Sequence, residues 1–375
     1  MSRQRFIGGA ARKLDGALRS TLGFAKSSLK SLGDIGVMAK SKNQPSRITT
    51  DIDFDADGKQ IGYLRLPHSV HRSAYGYLAM PIAVIKNGKG PTLLSMSGNH
   101  GDEYEGQVAN SKLIRGLDPK HVRGRVIILP MANFPAADAG MRTSPIDRGN
   151  LNRTFPGDPN GTPTSMIAHH IETEIMPRAD LVLDLHSGGY SLDYLPSALA
   201  RLTGEDRRDA RTLELLDVFA APISYITTGL GESRTSIAAS ERVGIPLLDS
   251  ELGGGGTVSI EGTRLAEQGV RRILEHMGIV RETDLLKKRP KTRLMEVKNA
   301  SYYVFASQRG LFEPHVDLGA TVRKGQSAGV VHLMDEPGRE PILTTFSAAG
   351  LVICKRVPGR VERGDCLFHL ATDME

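Results

Sequence analysis

Two short motifs combine side chains that could bind one metal ion. The first is His100-Gly-Asp-Glu103, in which an imidazole and a carboxylate stand three residues apart after an apolar run. The second is His186, which directly follows the apolar run Leu-Val-Leu-Asp-Leu and precedes Ser-Gly-Gly. Two histidines and one carboxylate, with a fourth position open, are the protein ligands of a catalytic zinc site. We therefore predict that His100, Glu103 and His186 bind Zn2+, one ion per chain.

A third polar segment supplies a candidate general base. Glu251 ends the segment Leu-Asp-Ser-Glu, and four glycines follow it after Leu252. Glycine lets the backbone pass close to a ligand, so this carboxylate is free to face a cleft. Hydrolysis at a zinc site needs a base that takes the proton from the attacking water. Glu251 is the predicted base, and Asp249, two residues earlier on the same strand face, is the alternative.

The loop between the two metal motifs is rich in groups that bind carboxylates. It contains Arg142, Arg148 and the pair Asn152-Arg153, which Thr-Phe-Pro-Gly follows. A guanidinium group binds a carboxylate through two parallel hydrogen bonds, and asparagine adds a neutral donor beside it. We predict that Arg153, next to its rigid turn, binds substrate and that Arg148 faces solvent.

Alternating apolar runs and helical patterns position these motifs. Short buried strands are predicted at residues 91–97, 125–130, 181–185 and 245–249. Helical patterns are predicted at residues 104–117, 165–176, 211–219 and 263–277. Such alternation predicts an α/β fold with a mixed, largely parallel sheet flanked by helices. Ligands of these sheets bind beyond the carboxyl ends of the strands, where the metal motifs stand.

The pattern changes after a basic, proline-containing segment at residues 287–293. Glycine-bounded strands beginning at Gly310 are echoed by a second set beginning at Gly350. Paired halves of this kind resemble the folded-over β-barrel of biotinyl and lipoyl carrier domains. Such a carrier needs a lysine on the turn between its halves, and residues 333–341 contain none. We therefore predict a hydrolase domain at residues 48–285 and a small, structural C-terminal β-barrel-like module at 286–375.

Charge is distributed unevenly along the 375 residues. Residues 1–47 hold ten Lys and Arg against two acids, which leaves 38 bases against 40 acids in the remainder. We predict that residues 1–47 form a basic, flexible arm, or that the start codon is assigned upstream of the true one. A transit or membrane-surface role for this arm is the alternative. The nearly neutral remainder gives no reason to expect a nucleic-acid partner.

Composition excludes several other classes of protein. Hydrophobic residues make up 39% and charged residues 24%, which is typical of a globular protein. No apolar run approaches the roughly 20 residues that span a bilayer, so stable membrane insertion is not expected. The two cysteines, Cys354 and Cys366, cannot form a disulfide framework, which favours a reducing compartment and a cytoplasmic location. Assembly into a homo-oligomer stays open.

Taken together, these segments resemble the succinylglutamate desuccinylase and aspartoacylase family, relatives of the zinc carboxypeptidases. The resemblance covers residues 50–280 and extends to the β-rich C-terminal module. It implies that His100, Glu103 and His186 bind zinc and that Glu251 is the general base. It also implies that Asn152 and Arg153 bind the α-carboxylate of the substrate. Arg142 is a further candidate for that role.

The resemblance implies hydrolysis of the amide bond of an N-α-acyl amino acid. Gly-Asn-His-Gly-Asp-Glu-Tyr-Glu-Gly, Thr-Ser-Pro-Ile-Asp and Glu-Leu-Gly-Gly-Gly-Gly are most similar to family members of ectoine breakdown. The favoured reaction is therefore deacetylation of N-α-acetyl-L-2,4-diaminobutyrate. The alternative substrates are N-succinylglutamate, N-acetylaspartate and, for a zinc carboxypeptidase, a peptide. The alternative to an enzyme is a catalytically silent binding module.

Two charged residues bear on the substrate side chain. A diaminobutyrate substrate carries a side-chain ammonium, which an acid near the site would attract. Asp193, in the loop after His186, is the candidate for this contact, with a solvated or helix-capping aspartate as the alternative. Arg234 could instead bind an acidic side chain, so the sequence leaves the charge of the substrate side chain open.

Overall fold

The apolar runs of the sequence form the strands of one large sheet and one small sheet. The structure is a computed structural model that describes residues 44–374. Its strands are β1 Gly58–Pro67, β2 Tyr77–Asn87, β3 Thr92–Ser97, β4 Gly124–Leu129, β5 Leu181–His186, β6 Leu192–Tyr194, β7 Ser197–Ala200, β8 Ile223–Thr227, β9 Leu247–Glu251, β10 Arg293–Val297, β11 Tyr303–Phe305, β12 Gly310–Pro314, β13 Thr321–Val322, β14 Ser327–His332, β15 Ile342–Thr345, β16 Gly350–Arg356, β17 Arg360–Val361 and β18 Cys366–Asp373. The helices are α1 Glu105–Gly116, α2 Phe134–Ala139, α3 Pro163–His170, α4 Asp206–Phe219, α5 Ser236–Val243, α6 Ile260–His276 and α7 Asp284–Lys287.

The large sheet has fourteen strands and mixed direction. Its main path runs β1-β2-β4-β3-β5-β9-β7-β8-β10-β18-β16-β13, with β11 beside β18 and β6 beside β16. The four central strands β4, β3, β5 and β9 are parallel, whereas β1 and β2 are antiparallel at one edge. This arrangement confirms the predicted mixed α/β sheet with its β-rich C-terminal part. It also brings the carboxyl ends of β3, β5 and β9 to one edge of the sheet.

The two faces of the sheet bury separate apolar cores, as the alternation along β5 demonstrates. Leu183 and Leu185 pack in the core that α1, α4 and α6 cover, and Val182 packs in the core beneath α3 and α5. Because successive strand residues point to opposite faces, Asp184 and His186 share the face of Val182. The apolar residues of β5 therefore orient the predicted ligand His186.

The helices begin and end at residues suited to those positions. The Thr235 side chain accepts a hydrogen bond from the backbone of Ala238 at the start of α5, and Gly244 ends that helix with φ +85°. The predicted helix at 165–176 is continuous only to His170, where a π-helical turn at Ile171–Ile175 begins. A 3-10 turn at Met176–Arg178 follows, because Pro177 has no N–H with which to continue the helix.

The C-terminal strands form a second sheet and also extend the first. Strands β15, β14, β12 and β17 form a four-stranded sheet, whereas β10 pairs in parallel with β8 and β18 pairs with β10. Strand β16 pairs with β6, which lies just after the predicted ligand His186. Residues from Ser46 onward group as one compact unit, and a domain boundary at 285/286 stays a prediction.

The structure bears differently on the predicted N-terminal arm and on the predicted absence of a membrane-spanning segment. The predicted basic arm lies outside the described residues except for its last four. Within residues 44–374, every helix is too short or too polar to cross a bilayer.

Candidate active site

The turn after β3 brings His100 and Glu103 together. A Cβ atom on Gly101 would lie 2.0 Å from the carbonyl oxygen of Ala136, so the close packing of this turn on α2 requires glycine. Within the turn, His100 Nδ1 lies 2.7 Å from Oε1 of Glu103. Both side chains are buried, with 3% and 2% of their surface exposed.

His186 reaches the same carboxylate from the end of β5. Its Nδ1 lies 2.7 Å from Oε2 of Glu103, and its ring centroid lies 5.1 Å from that of His100. Candidate ligand atoms of the three residues all lie within 4.8 Å of one another. The structure therefore brings together the three side chains predicted as metal ligands, and a single cation could bind all of them.

The three side chains perturb one another's protonation. Burial would raise the pKa of Glu103, but His100 and His186 together lower it below its usual range. Burial lowers the pKa of His100 against the opposing effect of Glu103. For His186, burial would lower the pKa, but Asp184 and Glu103 raise it well above its usual value. A carboxylate held ionised between two imidazoles is a donor set suited to a divalent cation.

A buried polar group supports His186 from behind. Asp184 Oδ2 lies 3.1 Å from His186 Nε2 and accepts a hydrogen bond of 2.9 Å from the Asn99 side chain. Burial would raise the pKa of Asp184, but His186, Ser236 and Asn99 lower it. A carboxylate on the second nitrogen of a metal-binding histidine fixes the tautomer and orientation of the ring.

Glu251 lies beside His186 because strands β5 and β9 are in parallel register. His186 is aligned with Glu251, and Asp184 with Asp249. The loops that follow these strands bond to each other, since Gly188 N donates to Gly253 O at 2.8 Å. Oε2 of Glu251 is buried without a hydrogen-bond partner among residues 44–374. Burial and the charge of Glu103 raise the pKa of Glu251 well above its usual value.

Asp249, the alternative base, lies deeper than Glu251. It is 5% exposed, and burial raises its pKa well above the usual range. Asp249 groups with Asp184 and His186 as a second set of potential ligand atoms. Its alignment with Asp184 puts it behind His186, whereas Glu251 is aligned with His186 itself. The geometry therefore favours Glu251 as the residue nearer a reacting group.

The polar loop brings Arg142 and Asn150 to the three predicted ligands. Arg142 Nη1 donates a hydrogen bond of 3.4 Å to Glu103 Oε1. Asn150 Oδ1 lies 3.2 Å from His100 Nε2. Asn150 precedes the short 3-10 turn Leu151–Arg153, which carries the predicted substrate-binding pair.

That turn is fixed to α5 by its asparagine. Asn152 Oδ1 accepts a hydrogen bond of 2.8 Å from the backbone of Ser236, and its amide group donates no hydrogen bond within residues 44–374. Arg153 Nη1 donates to the backbone carbonyl of Asn152 at 2.6 Å, and its Nε lies 3.7 Å from a carboxylate oxygen of Glu232. Burial and nearby Arg142 lower the pKa of Arg153. Arg142 thus contacts a predicted ligand directly, whereas Asn152 and Arg153 follow Asn150, the loop residue that contacts His100.

The remaining residues named from the sequence lie on β6 and in the polar loop. Asp193 lies on β6 opposite Lys355 and forms a β-bridge with Gly254, in the glycine run after Glu251. Burial raises the pKa of Asp193 against an opposing effect of Lys355. Arg148 is exposed, in agreement with the solvent-facing position predicted for it.

The sequence reasoning missed Asp184, Asn150 and Glu232. Asp184 carried a usable signal, because a polar residue two positions before His186 on a buried strand must share its face. Asn150 carried none, since its contact is with His100, which is 50 residues away. Glu232 pairs with nearby Arg234, but its approach to Arg153 joins two irregular loops that are distant in sequence.

Comparison with known proteins agrees with this geometry. The sequence pattern of the succinylglutamate desuccinylase/aspartoacylase catalytic domain matches residues 89–277, which contain every predicted site residue. The N-alpha-acetyl-L-2,4-diaminobutyric acid deacetylase of Halomonas elongata is 41% identical over 340 residues, covering 90% of this chain and 99% of that protein. The chain belongs to the succinylglutamate desuccinylase/aspartoacylase family.

Solved structures of the family have the same fold. A product-bound structure of the ectoine utilization protein EutE (DoeB) from Ruegeria pomeroyi matches with a TM-score of 0.85 and 40% identity, covering 88% of this chain and 100% of that one. A succinylglutamate desuccinylase/aspartoacylase from Rhodobacter sphaeroides matches with a TM-score of 0.83 and 42% identity, over the same shares of the two chains. The family resemblance that the sequence predicted is confirmed.

Proposed function

We propose that this protein is a zinc-dependent amidohydrolase that deacetylates N-α-acetyl-L-2,4-diaminobutyrate to 2,4-diaminobutyrate and acetate, a reaction of ectoine breakdown. The observation that carries the proposal is the alignment of Glu251 with His186. This alignment supports the proposal because Glu251, with an oxygen that is buried and unpartnered among residues 44–374, is then next to His186, which shares the Glu103 carboxylate with His100. A binding module would need neither the ligands nor the base.

The donor set fits one zinc ion held by His100, Glu103 and His186. Each histidine offers Nδ1, and its Nε2 lies near an oxygen atom, at 3.2 Å from Asn150 Oδ1 for His100 and at 3.1 Å from Asp184 Oδ2 for His186. Two histidines and one glutamate leave one coordination position for a further ligand, as in other catalytic zinc sites. When bound, zinc supplies a Lewis acid that polarises the amide carbonyl and makes water acidic enough to attack near neutral pH.

The residues of this chain divide the remaining work between them. Glu251 accepts the proton of the attacking water and delivers it to the departing α-amino nitrogen. Arg153 and the free amide donors of Asn152 hold the α-carboxylate of the substrate, with Arg142 as a further donor nearer the scissile amide. Holding the carboxylate on one side and the amide on the other fixes which bond is cleaved. Asp193 is proposed to attract the side-chain ammonium.

The named relatives support the diaminobutyrate substrate over the alternatives. The Halomonas elongata protein is named as the deacetylase of that compound, and the EutE structure is named for ectoine utilization. The Rhodobacter sphaeroides relative is named for the wider family, whose members include succinylglutamate desuccinylases. A cytoplasmic location remains part of the proposal and rests on the sequence composition.

Substrate comparison and metal analysis test the proposal. The zinc-loaded protein should release acetate from N-α-acetyl-2,4-diaminobutyrate with a kcat/KM at least about tenfold above that for N-acetylaspartate or N-succinylglutamate, a difference of roughly 1.4 kcal/mol in transition-state binding. About one zinc per chain should be bound. The chelator-treated protein is the control and should be inactive until zinc is restored. A preference for a dicarboxylic substrate would refute the assignment of diaminobutyrate but not that of a zinc deacylase.

A further inference from the structure

Glu232 makes a tight ion pair that bears on the substrate side chain. Its carboxylate accepts hydrogen bonds of 2.9 Å from Nε and from Nη2 of Arg234, one on each oxygen. The backbone N–H of Arg234 donates to the same carboxylate at 3.0 Å. Its Oε2 also lies 3.7 Å from Nε of Arg153, the residue proposed to hold the α-carboxylate. Glu232 therefore stands between two guanidinium groups.

The segment that carries this pair is bonded to the turn that holds Asn152 and Arg153. The backbone N–H of Ser236 donates a hydrogen bond of 2.8 Å to Asn152 Oδ1. Thr235 caps α5 immediately afterwards. Residues 232 and 234 thus lie only four and two positions before a residue that is bonded to the predicted substrate-binding turn.

Charge counting indicates what this pair does to a substrate. Three guanidinium groups are connected to the site. Arg142 contacts Glu103, and Arg153 is proposed for the α-carboxylate. Arg234 is bound at Nε and Nη2 by Glu232, which lies 3.7 Å from Arg153. A substrate with a second carboxylate needs a guanidinium that is not already paired. The second carboxylate of such a substrate would also be repelled by the negative charge of Glu232.

We propose that Glu232 sets the side-chain charge selectivity of the enzyme, by occupying Arg234 and thereby excluding substrates with an acidic side chain. This inference rests on the proposed function and adds the residue that rejects the wrong substrate. It differs from the role proposed for Asp193, which attracts the correct side chain. Rejection and attraction are separate sources of specificity, so the two residues can be tested separately.

Glu232→Gln keeps the size of the side chain but releases Arg234 from its charged partner. We expect kcat/KM for N-acetylaspartate to rise at least about tenfold, because Arg234 can then bind the second carboxylate. N-acetyl-2-aminobutyrate has no side-chain charge, so its kcat/KM measures any change that the variant makes to the α-carboxylate contact of Arg153. The ratio of kcat/KM for N-acetylaspartate to kcat/KM for N-acetyl-2-aminobutyrate should therefore rise at least about tenfold. Glu232→Asp should keep the low activity on N-acetylaspartate.

Two matched variants separate this role from general damage to the loop. In Glu232→Gln/Arg234→Gln, activity on N-acetylaspartate should return to about the wild-type level, because the released guanidinium is gone. Asp193→Asn should lower activity on N-α-acetyl-2,4-diaminobutyrate without raising activity on N-acetylaspartate. An equal fall of Glu232→Gln on all three substrates would overturn the proposal, as would a gain on N-acetylaspartate in Asp193→Asn instead.

Product binding distinguishes a failure of this inference from a failure of the proposed function. Aspartate should bind the zinc-loaded Glu232→Gln protein at least about tenfold more tightly than it binds wild type in a calorimetric titration. If wild type hydrolyses none of the three acetyl amino acids while this gain in affinity appears, the proposed function fails and charge selection by Glu232 stands. If aspartate gains no affinity, charge selection fails whatever the enzyme hydrolyses.

Discussion

Replacing Glu251 with glutamine separates catalysis from structure at the proposed base. The glutamine has the same size, so the packing of the loop after β9 should be preserved. It cannot accept the proton of the attacking water, and general-base catalysis contributes about 10²–10⁴-fold to a rate. At about 1.36 kcal/mol per factor of ten, we expect the activation free energy to rise by about 2.7–5.4 kcal/mol.

The protein environment of Glu251 adds an expectation about stability. Burial raises the pKa of this carboxyl, which means that its ionised form is disfavoured in the metal-free protein. A carboxyl group whose pKa is higher in the folded than in the unfolded state destabilises the folded protein as pH increases above the unfolded pKa. Metal-free Glu251→Gln should therefore unfold at a temperature equal to or above that of metal-free wild type at pH 7, and the difference should vanish below about pH 4.5.

Three measurements on the same preparations decide the matter. Zinc content should remain at one ion per chain, kcat for N-α-acetyl-2,4-diaminobutyrate should fall about 10²–10⁴-fold, and the metal-free melting temperature should not fall. Asp249→Asn is the matched control for the alternative base. A near-normal kcat in Glu251→Gln, with a large loss in Asp249→Asn, would contradict the assignment of the base and transfer it to Asp249.

Further predictions concern other parts of the chain. His100→Ala or His186→Ala should remove zinc and activity with near-native circular dichroism; full zinc occupancy in either variant would refute its assignment as a ligand. Deleting residues 1–45 should leave kcat/KM almost unchanged, and a large loss would indicate that the arm contributes to the active site or to assembly. His369 is buried with no hydrogen-bond partner for its ring nitrogens among residues 44–374, and burial lowers its pKa to about 3. Because the folded pKa of this histidine is depressed, its contribution to the free energy of unfolding is lost as pH falls below about 6.5. Between pH 7 and 5 the loss should be about 2 kcal/mol, as measured by chemical denaturation. The variant His369→Phe should not have this part of the pH dependence.

The short-range features of this protein could be predicted from the sequence. Apolar runs in the sequence predict buried strands, and the residues just after such runs lie at the carboxyl ends of the strands of a parallel sheet. His100, Glu103, His186 and Glu251 were predicted on that basis, and the structure brings them together. The mixed α/β sheet followed from the alternation of strands and helices. These inferences succeed because each depends on residues within a few positions of one another.

The contacts between distant segments could not be predicted from the sequence and are known only from the tertiary structure. Asn152 is bonded to Ser236, 84 positions away, and Arg153 approaches Glu232 across a similar separation. No periodicity encodes such contacts, because they depend on where two irregular loops meet above the sheet. The sequence therefore left the roles of Arg234 and Glu232 open, since an arginine is either a free binding group or a paired one according to its neighbours in space. The pair of Glu232 and Arg234 is local in sequence, but its position beside Arg153, which is 79 residues away from Glu232, is a property of the folded chain alone.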